Sequence, residues 1–338
     1  MAIHVPPFDP AVQLNDELTL AQATGQLTRK DGTLASGLPD RAGVDLSEDS
    51  IRETLSSDLL TPDLNRMAPH LWLVSTPRSS HILPLHRQKV RGRTIVTCEP
   101  PGLHLVWYHD RIFVKPLPAY LLSHDFWSFC IQHGIFAQTD DERSGPLAAA
   151  LGLLRTYNYL IKFPVDFKLA QQHDLVSAEI SYVEFSAFIR AFEHIQDTEV
   201  APRYTFGELR LTRLNFYTPI LLCPKLTYHY MTPQWSSFFG NLLAPVLLVF
   251  AILSIVLTAM QVELAVQALN GPQDLWNIFS NFSRCFSVLA LIFVAIVVVV
   301  VAICLVGLFV HENLFALSIL RKKRKGKLEK KEASSAVI

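Results

Sequence analysis

The chain has 338 residues, with 30 Lys and Arg against 30 Asp and Glu, and this balance gives no basic surplus of the kind a nucleic-acid partner requires. Five cysteines (Cys98, Cys130, Cys223, Cys285 and Cys304) are odd in number and form no close pair, which excludes a disulfide framework and a zinc ribbon and favours reduced thiols in a cytosolic domain. The charge is unevenly placed. Residues 1–65 hold eleven acidic and four basic residues, and residues 321–338 hold eight basic and two acidic.

Residues 1–65 are rich in Asp, Ser, Thr, Gly and Pro, and their leucines recur without a sustained period, so the segment is expected to be acidic and mostly disordered. A short amphipathic helix over 49–60 is the exception, because Ile51, Leu55 and Leu59 share one face. The opening residues show neither a basic region nor an apolar core of the kind a cleavable signal peptide carries.

A cytosolic α+β domain, mainly helical with a small antiparallel sheet, is expected over 66–235. Residues 70–75 (HLWLVS) have strand composition, and 95–98 suit a short strand. Two apolar runs within 103–117, separated by His109-Asp110, read as a hairpin; the missing glycine leaves a longer loop equally open. From Pro118 the period becomes helical, over 119–133, 146–163, a stretch after Pro164, and 181–195. Ser181 and Glu184 have capping-box spacing at the start of the last helix. His133-Gly134 suits a helix end. Residues 203–219 fit strand and helix equally. Trp235, Phe238 and Phe239 suit the membrane interface.

Two apolar stretches follow, 241–265 and 285–310, and each meets the roughly 20 residues that a helix needs to cross about 30 Å of hydrocarbon. They predict a two-helix transmembrane hairpin with a lumenal or extracellular loop at 266–284 and a basic tail at 311–338. The Lys and Arg excess after the second stretch places both termini in the cytosol, in either the plasma membrane or the endoplasmic reticulum. Arg321, Lys322, Lys323, Arg324, Lys325 and Lys327 set this orientation and can also bind anionic lipid. Ala251, Ser254, Thr258, Gln261 and Ala265, with Ala295 and Ala302, are candidates for helix packing within the hairpin or between copies in a homo-oligomer. Glu263 and Arg284 are candidates for an ion pair at the hairpin mouth, with separate solvation the open alternative. Asn281 begins a weak glycosylation sequon, too close to the second span for efficient use.

No dinucleotide, P-loop, zinc-protease or nucleophile-elbow motif occurs, and the spacing of His70, His81, His86, His104 and His109 suits no metal site. No catalytic residue, cofactor or metal is therefore assigned. The blocks at 70–93 (HLWLVSTPRSSHILPLHRQKVRGR), 103–123 (LHLVWYHDRIFVKPLPAYLLS), 203–215 (RYTFGELRLTRLN) and 257–266 (LTAMQVELAV) resemble a fungal two-pass membrane family known only as a domain of unknown function. The resemblance covers roughly 55–315. Some relatives carry a subtilisin-like protease label, which this sequence does not support: His133-Gly134 is followed by Ile-Phe, and no Gly-Thr-Ser is present. The expected function is a membrane-tethered module that binds a protein partner or membrane lipid. The alternative is a membrane-bound enzyme using the His- and Arg-rich segment 70–115 on an acidic substrate; it requires a pocket gathering His81, His86, Arg91 or His104.

Overall fold

A computed structural model describes residues 5–21, 25–30, 37–41, 43–76, 78–137, 142–223, 225, 227–231, 235–270, 281–299, 302, 303 and 306, without side-chain detail at 235–246, 263 and 267–270. The chain divides into two compact units, Met1–His229 and Tyr230–Ile338.

The N-terminal segment departs from its expected disorder. A 3-10 turn, Pro10–Val12, is capped by the Asp9 carboxylate, which accepts from Ala11 N at 2.8 Å. Strands β1 (Leu18–Leu20) and β2 (Leu27–Arg29) pair antiparallel. Helix α1 (Glu48–Leu59) buries Ile51, Leu55 and Leu59 on the face that their spacing predicts. Phe8, Leu18, Leu27 and Leu38 are also buried, and the Phe8 ring meets Phe188 edge-on at 4.8 Å. Each of these side chains fills a gap between helices supplied by later sequence. Outside α1 the described residues of the segment show no amphipathic face, so Phe8, Leu18, Leu27 and Leu38 follow no period.

Helix α2 (Pro62–Met67) leads into a 3-10 turn, Ala68–Leu73, where a strand was expected. Leu71 and Val74 are the buried residues there while Trp72 points outward, which is the three-residue repeat of a 3-10 turn and not the alternation of a strand. After α3 (Leu85–Val90) come β3 (Thr94–Thr97), β4 (Val106–Tyr108) and β5 (Arg111–Val114). The β4–β5 hairpin closes with the two-residue loop His109-Asp110, and His109 takes the left-handed conformation (φ 53°) that glycine usually supplies.

Residues 203–219 resolve into both alternatives. Strand β6 (Leu209–Arg210) pairs parallel with β4, and the chain then turns directly into helix α8 (Leu211–Leu221). The four-stranded sheet has the order β3-β5-β4-β6. Only its central β4–β5 pair is antiparallel; β3 joins β5 and β6 joins β4 in parallel. A sheet that is antiparallel throughout is thus confined to β1–β2.

The helices between β5 and β6 follow the sequence closely. Ser123 caps α4 (His124–Gln132), and Gly134 beyond its end takes φ 61°. Helix α5 (Pro146–Leu160) runs through the core with nearly every residue covered. Gly152 lies against the Tyr204 ring so closely that a Cβ would overlap ring atoms, and only glycine fits there. Helix α6 (Pro164–Gln172) follows, then α7 (Tyr182–Ile189), whose capping box is complete: Ser181 N donates to Glu184 Oε2 at 2.9 Å, and Glu184 N donates to Ser181 Oγ at 3.3 Å.

In the second unit, α9 (Trp235–Asn270) and α10 (residues 281–299) are long and apolar enough to cross a membrane over Leu247–Val266 and Asn281–Val299, and their side chains are almost wholly uncovered by protein. Ala251, Ser254, Thr258, Gln261, Ala265, Ala295 and Ala302 are all exposed. The less exposed positions are Leu253, Val256, Leu257, Met260 and Leu264 on α9, with Ser283, Phe286, Ser287, Ala290, Val294 and Val297 on α10. Thr258 Oγ1 donates to the Ser254 carbonyl at 2.8 Å, so its hydroxyl is satisfied within the helix. Asn281 and Arg284 are exposed; the Glu263 side chain, the loop at 271–280, Cys304 and the basic tail lie outside the described residues.

Truncating the core contacts of the N-terminal segment measures its contribution. Leu55→Ala should cost about 2–5 kcal/mol and Phe8→Ala about 3–5 kcal/mol. Thermal denaturation of the full chain in detergent reads both, and a dispensable segment would leave the Phe8→Ala transition unmoved.

Candidate functional site: a basic groove beside a buried ion network

Four polypeptide segments meet at a groove of about 520 Å³ lined by His81, Ile82, Leu83, Pro84, Arg87, Arg91, Lys162, Phe163 and Glu208, among others. Two buried carboxylates hold it in shape. Glu208 accepts from Leu83 N at 3.0 Å, Gln88 Nε2 at 2.6 Å and an Arg93 guanidinium nitrogen at 2.6 Å. Asp166, fully buried, accepts from His86 N at 2.8 Å and from Phe163 N at 3.0 Å, with His86 Nδ1 at 2.7 Å. The first ties the 83–93 segment to the strand end before β6, and the second ties α3 to the start of α6. Gly207 permits the close passage beneath: a Cβ there would lie 2.7 Å from the His81 carbonyl oxygen. Arg93 and Arg210 both sit over the Trp107 ring, at 4.5 and 5.0 Å.

With its two buried carboxylates hydrogen-bonded within the protein, the groove presents a cationic rim on an apolar floor. Arg87 and Arg91 are one helical turn apart, and Arg91 N donates to the Arg87 carbonyl at 3.1 Å. Both are exposed, as is Lys162, and among the described residues none of the three pairs with a carboxylate. Such a set recognises anions. Of the side chains that the enzyme reading names, His81 and Arg91 line this groove. His86 is committed to Asp166. His104 lies in the core, its Nε2 2.8 Å from Thr156 Oγ1 and its Nδ1 accepting from Lys115 N at 3.2 Å. Burial, reinforced by the neighbouring Arg203 and Lys115 charges, holds the His104 pKa well below the usual histidine value, so the ring is neutral.

Behind the sheet lies a second polar assembly that no spacing signalled. Lys115 Nζ, fully buried on the strand exit of β5, donates to Asp58 Oδ1 at 2.7 Å and to the Glu99 carbonyl at 2.8 Å. Tyr120 OH donates to Asp58 Oδ2 at 2.6 Å, and Arg41 binds both Asp58 and Glu99. Burial and the Asp58 carboxylate together raise the Tyr120 pKa well above its ordinary value. Cys98 nearby is pushed up to about 11 by burial and stays a thiol. Arg41 and Glu99 open onto a cleft of about 830 Å³ whose other charged lining residues, Asp16, Glu17, Asp40, Asp174, Glu179 and Glu184, are all acidic. Further inside, Arg203 is buried, and its guanidinium donates to the carbonyls of Phe206 at 3.2 Å, Gly207 at 3.1 Å and His104 at 3.0 Å. Burial lowers its pKa to about 10, so it remains charged.

The sequence reading missed Asp58, Lys115, Asp166, Glu208 and Arg203. Apart from the Asp58–Arg41 contact and the local Arg203, Asp166 and Lys115 contacts, their partners are 57 residues away or more, and nothing in a linear pattern marks such a pair. Among the described residues no cluster of His, Cys, Asp and Glu is arranged to hold a metal ion.

Residues 51–294, most of the chain, match the profile described as "Family of unknown function (DUF6601)". The chain belongs to this family. No curated protein and no solved structure matches it. The DUF6601 span contains the whole groove together with Asp58 and Lys115, while Phe8, Leu18 and Arg41 precede it.

Removing one member of the buried network leaves the others uncompensated. Lys115→Met should lower stability by about 3 kcal/mol, and Asp58→Ala by more, since it strands both Lys115 and Tyr120; denaturation of the full chain gives the order. A second expectation concerns pH. His104 is neutral when folded, and in the unfolded chain it takes up a proton below about pH 6.5. Protons therefore favour unfolding: its contribution is intact above about pH 6.5 and falls as pH drops below that, by at most about 1.4 kcal/mol per pH unit. His104→Gln should flatten the stability profile between pH 7 and 5, and an unchanged slope would assign it to other groups.

Proposed function

We propose that this DUF6601 protein is an integral membrane protein that holds a folded α+β module at a membrane surface and acts there by binding, without catalysing a reaction. The observation that carries the reading is the pair of apolar helices whose side chains stay uncovered by protein, beside a unit whose own apolar residues are well buried. In water such helices would be an aggregation hazard, and in a bilayer they are ordinary. The dispersal of His86 and His104 into structural roles supports binding over the enzyme alternative.

In this reading the hairpin spans twice, with the loop at 266–284 outside and both termini in the cytosol. The plasma membrane and the endoplasmic reticulum both suit it. The tail residues Arg321, Lys322, Lys323, Arg324, Lys325 and Lys327 fix the orientation and meet anionic lipid, at about 1 kcal/mol for each charge near the surface. A protein partner on the cytosolic face completes the assignment. Ala251, Ser254, Thr258, Gln261, Ala295 and Ala302 serve helix contact in the bilayer, within the hairpin or between copies. Glu263 and Arg284 flank the hairpin mouth.

Alkaline extraction and glycosylation mapping test this directly. The chain should stay in the membrane pellet at high pH. An inserted acceptor site in the middle of 266–284 should be glycosylated, sites in the domain or the tail should not, and Asn281 itself should remain largely unmodified. Release at high pH, or modification of a tail site, would overturn the proposed topology.

A further inference from the structure

We infer that the groove between α3 and the start of α6 binds the phosphate-bearing headgroup of an anionic lipid in the membrane that the hairpin enters. The inference deepens the proposed function and rests on it.

Three observations converge. The rim is cationic: Arg87, Arg91 and Lys162 are exposed, Lys162 lies 6.0 Å from the Tyr159 ring centroid, and among the described residues no carboxylate pairs with the three. Among the described residues the one carboxylate that lines the groove is Glu208, which is buried and already engaged by Arg93, Gln88 and the Leu83 amide, so its charge is taken up within the protein. Large apolar side chains are exposed close to these charges: Phe163, which lines the groove, at 54%, and Val90, next to Arg91 in the chain, at 84%. A soluble phosphate or an acidic peptide would satisfy the cations and leave these two in water. A headgroup satisfies both requirements, because apolar residues flanking a basic cluster can enter the acyl boundary while Arg and Lys meet the phosphates.

The groove is also preorganised. Glu208 holds the Leu83 amide just before α3 and Asp166 holds the His86 amide in its first turn, so little order has to be gained on binding. Guanidinium groups one turn apart suit a phosphate, which either can grip in bidentate fashion. The tether adds a concentration effect. A module covalently held at the surface meets headgroups at high effective concentration, so a modest intrinsic affinity is enough.

The full chain reconstituted in nanodiscs tests the assignment by amide hydrogen exchange over residues 81–91. Discs of phosphatidylcholine alone are compared with discs containing phosphatidylserine or phosphatidic acid. Exchange in this segment should slow by about tenfold or more in the anionic discs, and Arg87→Ala combined with Arg91→Ala should abolish the difference. The readout is local, so lipid binding by the tail does not imitate it, and the wild-type comparison stands even if the variant folds poorly. Equal exchange in both kinds of disc overturns the inference. So does the same slowing on addition of inorganic phosphate or a phosphorylated peptide to phosphatidylcholine discs, which would make the ligand a soluble one. A chain that fails to enter discs at all defeats the membrane reading itself, a result distinguishable from failure of the groove alone.

Discussion

Lys115 sits at the point where three separately specified parts of the first unit must agree. Its ammonium group, almost without access to water, is held by Asp58 from the end of α1 and by the Glu99 carbonyl beyond β3. An ion buried in this way is tolerable only if its partners are in place, since an unpaired one loses several kcal/mol of solvation. The demand propagates. Asp58 must be presented by a formed α1, and α1 is seated by Ile51 and Leu55 against the helices of the core. The Tyr120 hydroxyl and Arg41 then complete the carboxylate's coordination, so the N-terminal segment, the sheet and the turn before α4 become conditional on one another. Burying charge in this way adds little stability compared with apolar packing. Its effect is to make wrong packings of the same apolar groups expensive.

The basic groove follows the same logic with the roles inverted. There the buried carboxylates Asp166 and Glu208 are the fixed points, and their partners are backbone amides as much as cations. Because both carboxylates are bonded within the protein, Arg87 and Arg91 on the rim are left without a carboxylate partner among the described residues. The difference between Arg93, stacked on Trp107 and bonded to Glu208, and Arg91, exposed with no carboxylate beside it, is the difference between a structural cation and one available to a ligand. Two residues of one type, two positions apart, take opposite roles because only one reaches the buried acid.

Much of the helical architecture was legible in the sequence, because a period reports a face. Ile51, Leu55 and Leu59 announced α1, the Ser181–Glu184 pair announced the start of α7, and the apolar runs about His109-Asp110 announced the central hairpin. What escaped was nonlocal. Phe8, Leu18 and Leu38 are single plugs in a core built from later sequence, and no window around them records the hole they fill. The strand composition of 70–75 was misleading because those residues pack as a turn, with Leu71 and Val74 inward. The groove was half legible: the density of Arg and His over 81–93 stands out in the sequence, but which of them would be neutralised depended on Asp166 and Glu208, some 80 and 120 residues further on.

The position of β6 has a consequence in time as well as in space. The sheet lacks its last strand until Leu209–Arg210 has been made, and α9 begins at Trp235, 25 residues after Arg210. Synthesis at about 5–20 residues per second leaves roughly one to five seconds between those two events. The order of translation therefore supplies the last strand of the sheet before the first long apolar helix is made.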